Sequence, residues 1–310
     1  MKSVLATDFS ARNCPGCGAD ASRAVPGPRP RTPAEKMELA QLREPFNGGF
    51  ARFTYFSYFR CKDCGLLYCP VYLTKEKLVE LYSAKPDNSL GVAQAGLART
   101  QEQYFRFLGK TSDLQGQYLE IGPDTGLFAG LCAKRGKFDR FWLIEPNQEV
   151  HQRLRGELGG KEAVLLPSME ALSEVPDGAI SAAAMIHVLD HLLDPVGYMR
   201  RLRSKLRPGA KLLIVVHDQR SILAKVCGDR WPGYHPQHPQ MFDRKSLRVT
   251  VERAGFRCAA MRKAKNYIPP AFLAKKFFWV LGLGEVRIPW QDRLIIPVPL
   301  GNLMAVFEAD

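Results

Sequence analysis

No stretch of this chain approaches the roughly 20 consecutive apolar residues that a membrane-spanning helix needs, and Met1 to Ser10 hold no long apolar run. Without either, the expectation is a cytoplasmic protein. Acidic side chains are in deficit, 31 Asp and Glu against 44 Lys and Arg, for a formal net charge of +13. That balance favours acidic partners: phosphorylated metabolites, nucleic acid or an acidic carrier protein. The glycine spacing of a dinucleotide loop, Gly-x-Gly-x-x-Gly, is missing, which sets nicotinamide dehydrogenases aside. Disulfides are disfavoured too, because four of the eight cysteines stand in Cys-x-x-Cys pairs, which in a cytoplasmic chain read as metal ligation.

What is present begins with Tyr118 to Phe128. Tyr118, Leu119 and Ile121 are strand formers, Gly122 and Gly126 permit a tight turn, and Leu127, Phe128, Leu131 and Cys132 repeat at helical spacing. A strand that turns into a helix in this way offers free N–H groups at the carboxyl end of a sheet, where open α/β folds bind ligands. A second strand, Phe141 to Ile144, ends in Glu145, Pro146 and Asn147. A carboxylate there is placed to accept hydrogen bonds from both hydroxyls of a ribose.

These two motifs resemble those of the class I S-adenosylmethionine-dependent methyltransferases. Glu120-Ile121-Gly122-Pro123-Asp124-Thr125-Gly126 matches the glycine-rich first motif, with Asp124 where the family usually has glycine, and Glu145 matches the ribose-binding acid. The resemblance implies a Rossmann-like α/β sheet of seven strands, the last inserted antiparallel beside the fifth. It also implies that S-adenosyl-L-methionine is held by Glu120, Gly122, Pro123, Asp124, Gly126, Phe128, Glu145, Pro146, Ser168 and Met169, the last two beside the adenine. It extends to Val188-Leu189-Asp190-His191-Leu192-Leu193-Asp194-Pro195, to Leu206 through Ile214, to His238-Pro239-Gln240-Met241-Phe242 and to Arg253-Ala254-Gly255-Phe256. It is weakest over 19–49 and 265–300.

Cys14-Pro15-Gly16-Cys17-Gly18 and Cys61-Lys62-Asp63-Cys64-Gly65 repeat one design, two thiolates on a turn followed by glycine. Together they predict a closed, structural zinc site of four cysteine thiolates. Cys69 reads as a buried thiol. Phe50, Phe53, Tyr55, Phe56, Tyr58 and Phe59 form an aromatic run, either the core of a small zinc ribbon or a base-stacking platform for nucleic acid. The zinc-ribbon leader resembles that of a subset of class I methyltransferases, sugar methyltransferases among them. The expected division is a zinc-ribbon module over 1–85 and a methyltransferase domain over 86–310 with an insertion at about 266–299.

Helices are expected over Ala34 to Arg43, Thr74 to Tyr82, Ala95 to Leu108, from Asn147 onward, from Asp194 to a stop at Pro208 and Gly209, and over Asp243 to Ala254. Strands are expected at Val164 to Leu166, Ala179 to Met185, Leu212 to Val216 and Leu303 to Glu308. Arg200, Arg201, Arg203 and Arg207 fall on the outward face of their helix. His187 and His191 follow the Ala179 strand, and His238 lies in a Trp- and Pro-rich loop. These three are the candidate bases, since an imidazole titrates near neutrality. The insertion is expected to wall an acidic or phosphorylated acceptor; a membrane-surface helix or a dimer contact are its alternatives. The function so read is O- or C-methylation of a small molecule such as a sugar or a phosphorylated or carrier-linked metabolite. The rivals are a nucleic-acid methyltransferase and a non-catalytic S-adenosylmethionine-binding module.

Overall fold

The computed structural model describes residues 8–48, 53–83, 94–280 and 294–310, and the chain divides into two compact units. One comprises Ser89–Ile186, Arg201–Val215 and Phe256–Asp310. Its sheet is built from β1 (Gln115–Ile121), β2 (Lys137–Ile144), β3 (Glu162–Leu166), β4 (Ile180–Ile186), β5 (Leu206–His217), β6 (Phe256–Ile268) and β7 (Ile296–Ala309). The spatial order is β3-β2-β1-β4-β5-β7-β6. The pairs β3/β2, β2/β1, β1/β4 and β4/β5 are parallel, whereas β6 and β7 are antiparallel. This is the seven-stranded α/β sheet expected. The chain winds outward through β2 and β3 and then returns past β1 to lay down β4, so the strand order reverses beside β1.

Local chemistry explains the strands. Ile180 to Met185 are all buried, as a central parallel strand requires, and Ser181 satisfies its hydroxyl by donating to the carbonyls of Gln115 and Gln117 on β1. Tyr118, Phe138 and Phe141 meet in the core with ring centroids 5.1 to 6.0 Å apart. Helices cover Gln94–Leu108, Leu127–Arg135 and His151–Glu157, the last reached through a short turn whose first N–H groups are capped by Asn147.

Three expectations need correction. The helix from Pro195 ends at Lys205, and Pro208 and Gly209 lie inside β5, because Leu206 already pairs with Ile180. β7 begins at Ile296 and pairs from there with Ile268, so the proposed insertion is shorter at both ends than 266–299. Pro270–Val280 is a helix; residues 281–293 of the insertion lie outside the described residues. The expected helix at Ala34 is split into a 3-10 turn, Ala34–Lys36, and a helix Leu39–Phe46 that starts at a capping box between Glu38 and Gln41.

The other unit comprises Met1–Asn88, His187–Arg200 and Val216–Gly255. The division read from the sequence cuts at 85/86, and the two differ in where 187–200 and 216–255 belong. Strand pairing explains the difference: Gln240–Met241 adds antiparallel to Leu67–Tyr68, which pairs with Phe59–Cys61, which pairs with Ala24–Pro26. The aromatic run is the core of this unit. Tyr55, Phe56 and Tyr58 are each 1% exposed. Tyr55, Tyr58 and Tyr72 donate their hydroxyls to the carbonyls of Asp229, His238 and Pro236 and so clamp the Trp- and Pro-rich loop. Phe50 lies outside the described residues.

Candidate functional site

The Cys-x-x-Cys turns repeat in structure as they do in sequence. Gly18 donates to the Cys14 carbonyl and Gly65 to the Cys61 carbonyl, each glycine at a φ near 80° that a side chain would strain. Cys14 Sγ lies 3.6 Å from Cys64 Sγ and Cys17 Sγ 3.6 Å from Cys61 Sγ, and all four sulfurs fall within 4.8 Å of one another. Sulfurs bound about 2.3 Å from a common zinc stand about 3.8 Å apart, so the four fit one tetrahedral ion. Hydrogen bonding from Cys64 lowers the Cys14 thiol, whereas the bond to Cys14 and burial raise the Cys64 thiol. Cys69 is buried and its thiol points to the Phe56 carbonyl, outside this set.

In the other unit the turn after β1 has three residues in the left-handed region, Gly122, Asp124 and Gly126. Gly122 donates to the Ile144 carbonyl, and Gly126 to that of Pro123. Aspartate is one of the few residues that tolerates φ of 50°, which accounts for Asp124 standing in a glycine position. Glu145 draws the two motifs together: one carboxylate oxygen accepts the Asp124 N–H at 2.9 Å, the other the Asn147 N–H at 2.8 Å. Burial raises its pKa while these two bonds lower it, the net being upward. Glu120 is buried and accepts the Tyr118 hydroxyl, and burial lifts it to about 8. Phe128 is 1% exposed in the core, Ser168 caps the turn that Met169 begins by accepting the Ala171 N–H, and Pro146 is exposed.

The candidate bases prove to be part of a larger group. Five of the six histidines in the chain, His187, His191, His217, His235 and His238, gather in the unit that holds the four cysteines. Ring centroids are 4.6 Å apart for His187 and His217, 4.9 Å for His217 and His238, 4.6 Å for His191 and His238, and 5.8 Å for His235 and His238. Asp190 lies among them with no exposed surface, its Oδ2 accepting from His217 Nδ1 at 2.6 Å. Burial pushes this carboxyl up, but the His217 hydrogen bond and the nearby His191 and His238 outweigh it, and Asp190 sits well below the usual carboxylate range. His187, in a left-handed conformation, is driven down to about 3 by burial and by His217 and is neutral at physiological pH. His238 Nδ1 faces the Gly233 carbonyl at 2.8 Å, which can only accept, so its basic nitrogen is Nε2. His191 Nδ1 pairs with the Tyr82 hydroxyl at 2.8 Å.

Gln240 fixes the turn that carries Asp190 and His191. Its side-chain amide donates to the carbonyls of Leu189 and Leu192, and its oxygen accepts from Arg12. Sequence reading named His187, His191 and His238 and missed His217 with Asp190 as the pair at the centre. The signal available for them was their position directly after consecutive expected strands.

The profile described as a methyltransferase domain matches residues 94–260. The chain belongs to this methyltransferase family. A search of curated proteins gave no match. Solved structures similar to this methyltransferase include an S-adenosylmethionine-dependent methyltransferase from Aquifex aeolicus, with 14% identity over 77% of this chain and 100% of that one at a TM-score of 0.47. Another, from Archaeoglobus fulgidus, has 14% identity over 70% and 94% of the two chains at 0.46. The cyclase SpnF has 15% identity over 76% and 92% at 0.47. As a member of the methyltransferase family matched over residues 94–260, the protein is an enzyme that uses S-adenosylmethionine. Its loop fits that cofactor: Gly122 and Gly126 bare the backbone, and both oxygens of the Glu145 carboxylate keep lone pairs beyond those given to Asp124 and Asn147. Among the described residues no helix is long and apolar enough to cross a membrane.

Proposed function

We propose that this methyltransferase transfers a methyl group to oxygen or carbon of a small acceptor such as a sugar or a phosphorylated or carrier-linked metabolite, in the cytoplasm. The observation that carries this reading is the histidine cluster organised on buried, ionised Asp190. A hydroxyl or carbon acid must lose a proton when it is methylated, and a positioned imidazole takes protons near neutrality. His191 and His238 are assigned to the acceptor's proton and His187, held neutral by burial, to a hydrogen bond with the acceptor, with Asp190 and His217 orienting the group. His187 directly follows β4 and His217 is the last residue of β5.

Glu145 would hold S-adenosylmethionine at the ribose and Gly122 to Gly126 would hold it along the loop, with Glu120, Pro123, Pro146, Phe128, Ser168 and Met169 as neighbours; the cofactor would supply an activated methyl on a sulfonium. The protein's part is alignment of the acceptor and removal of its proton. Burial of Tyr55, Phe56 and Tyr58 supports a small acceptor over nucleic acid, because rings packed in a core offer no stacking face. The net charge of +13 supports an acidic one. Four cysteines gathered as a metal-ligand set support a reducing compartment.

The test is untargeted metabolite profiling after incubation of a cell extract with isotope-labelled S-adenosylmethionine. A labelled small acid or phosphate is expected with the wild-type protein and a much weaker signal with Asp190→Asn. Label found only in RNA, or none at all while the cofactor binds, would overturn the reading.

A further inference from the structure

Asp190 makes an unusual demand on its surroundings. Its carboxylate has no exposed surface, and while Oδ2 takes the His217 Nδ1–H, Oδ1 is buried with no hydrogen-bond partner among the described residues. An ionised oxygen left in that condition is costly, and a buried charge is normally paired or bound to a cation. Next to it stand the imidazoles of His187 and His217, side chains that ligate metals through nitrogen. One ligand atom each from His187, Asp190 and His217 lies within 4.8 Å of the other two.

We propose that His187, Asp190 and His217 form a second metal site, distinct from the cysteine centre, for a borderline divalent transition-metal ion. Two imidazoles and one carboxylate are a donor set that suits Fe²⁺, Co²⁺, Ni²⁺ or Zn²⁺ and leaves coordination positions open. Ligand atoms about 2.0–2.2 Å from one ion stand about 3–3.6 Å apart, so closure requires movements of about 1 Å. The ion enters where the proton now lies between His217 Nδ1 and Asp190, and that proton is released to solvent on binding. An open position on such an ion would take an acceptor oxygen and make its proton easier to remove. His191 and His238, whose rings are 4.6 Å apart, then remain to receive it. Metal content is measured without turnover, so the proposal stands or falls separately from the identity of the acceptor.

The experiment uses the full chain with zinc already on its cysteines, equilibrated with micromolar Co²⁺ and analysed for both metals by mass spectrometry. Expected is one cobalt per chain with the zinc retained, weak visible bands without the intense thiolate-to-cobalt absorption, and quenching of Trp231, whose ring lies 6.4 Å from that of His217. Asp190→Asn and His217→Ala should each weaken cobalt binding at least tenfold. Zinc retained in these variants reports that the unit is still folded, since the cysteines belong to it. Wild-type protein that takes up no cobalt beyond displaced zinc, or folded variants that bind cobalt as well as wild type, would overturn the proposal.

Discussion

Glu120 has one hydroxyl, that of Tyr118, in place of the water it has lost, and burial pushes its carboxyl up. Its pKa rises from 4.5 to about 8 on folding, through burial first, with the Tyr118 hydroxyl opposing and Glu145 adding to the rise. Between those two values the folded chain holds a proton that the unfolded chain has released. The contribution to stability is therefore complete below 4.5 and is lost as pH rises toward about 8, at up to about 1.4 kcal/mol per pH unit. Glu120→Gln, which can still accept from Tyr118, should flatten the pH dependence of the denaturation midpoint and be the more stable protein at the upper end of that window. A variant with the wild-type slope would show that Glu120 is ionised in the native state. Glu145 was legible in the sequence, since an acid at the end of a second strand has few structural reasons to be there. Its hold on the Asp124 and Asn147 N–H groups was not legible, because such bonds depend on the turn's dihedrals. Glu145→Ala should cost roughly 1.5–3 kcal/mol of cofactor affinity by calorimetry. Asp190 and His217 escaped for another reason: they are 27 residues apart, and only strand pairing makes them neighbours.

At the scale of elements, the turn between β1 and the helix Leu127–Arg135 depends on Gly126. A Cβ there would lie 2.6 Å from Leu154 Cδ1 and 3.3 Å from Leu154 Cα, and φ is +87°. Gly126→Ala should destabilise by roughly 1–2 kcal/mol from the left-handed conformation alone, more with the clash, and should weaken cofactor binding in the same calorimetric assay. Gln240 is the corresponding pin in the other unit. Gln240→Leu strips partners from the carbonyls of Leu189 and Leu192 and from Arg12, a loss of about 1–3 kcal/mol for each group left buried. Thermal unfolding would register it. Most elements could be read from periodicity and caps: the helix Arg244–Glu252 lies within the span expected from Asp243 to Ala254, with Asp243 as its cap. Pro208 and Gly209 misled because a helix stop and an irregular strand entry share the same residues, and the early pairing of Leu206 with Ile180 decides between them.

For the whole molecule, the cysteine centre should govern one unit and not the other. Binding free energy at such sites is on the order of 10 kcal/mol and is expressed as folding energy. Cys61→Ser or a strong chelator is expected to release the ion and unfold the unit that holds the histidines, leaving the α/β sheet with its cofactor affinity. Metal analysis together with circular dichroism in the presence of S-adenosylmethionine would check it; loss of both units in a single step would contradict it.

The unit that holds the four cysteines is assembled from three separated pieces of chain, the last ending at Gly255. During synthesis the two knuckles leave the ribosome early, yet the strand that completes their sheet, Gln240–Met241, is translated long afterwards. At about 5–20 residues per second the wait is on the order of ten seconds. Through that interval the nascent chain carries cysteines able to take up metal beside an aromatic core that still lacks Trp231 and Met241, so early metal capture would hold the two knuckles together until their last strand arrives.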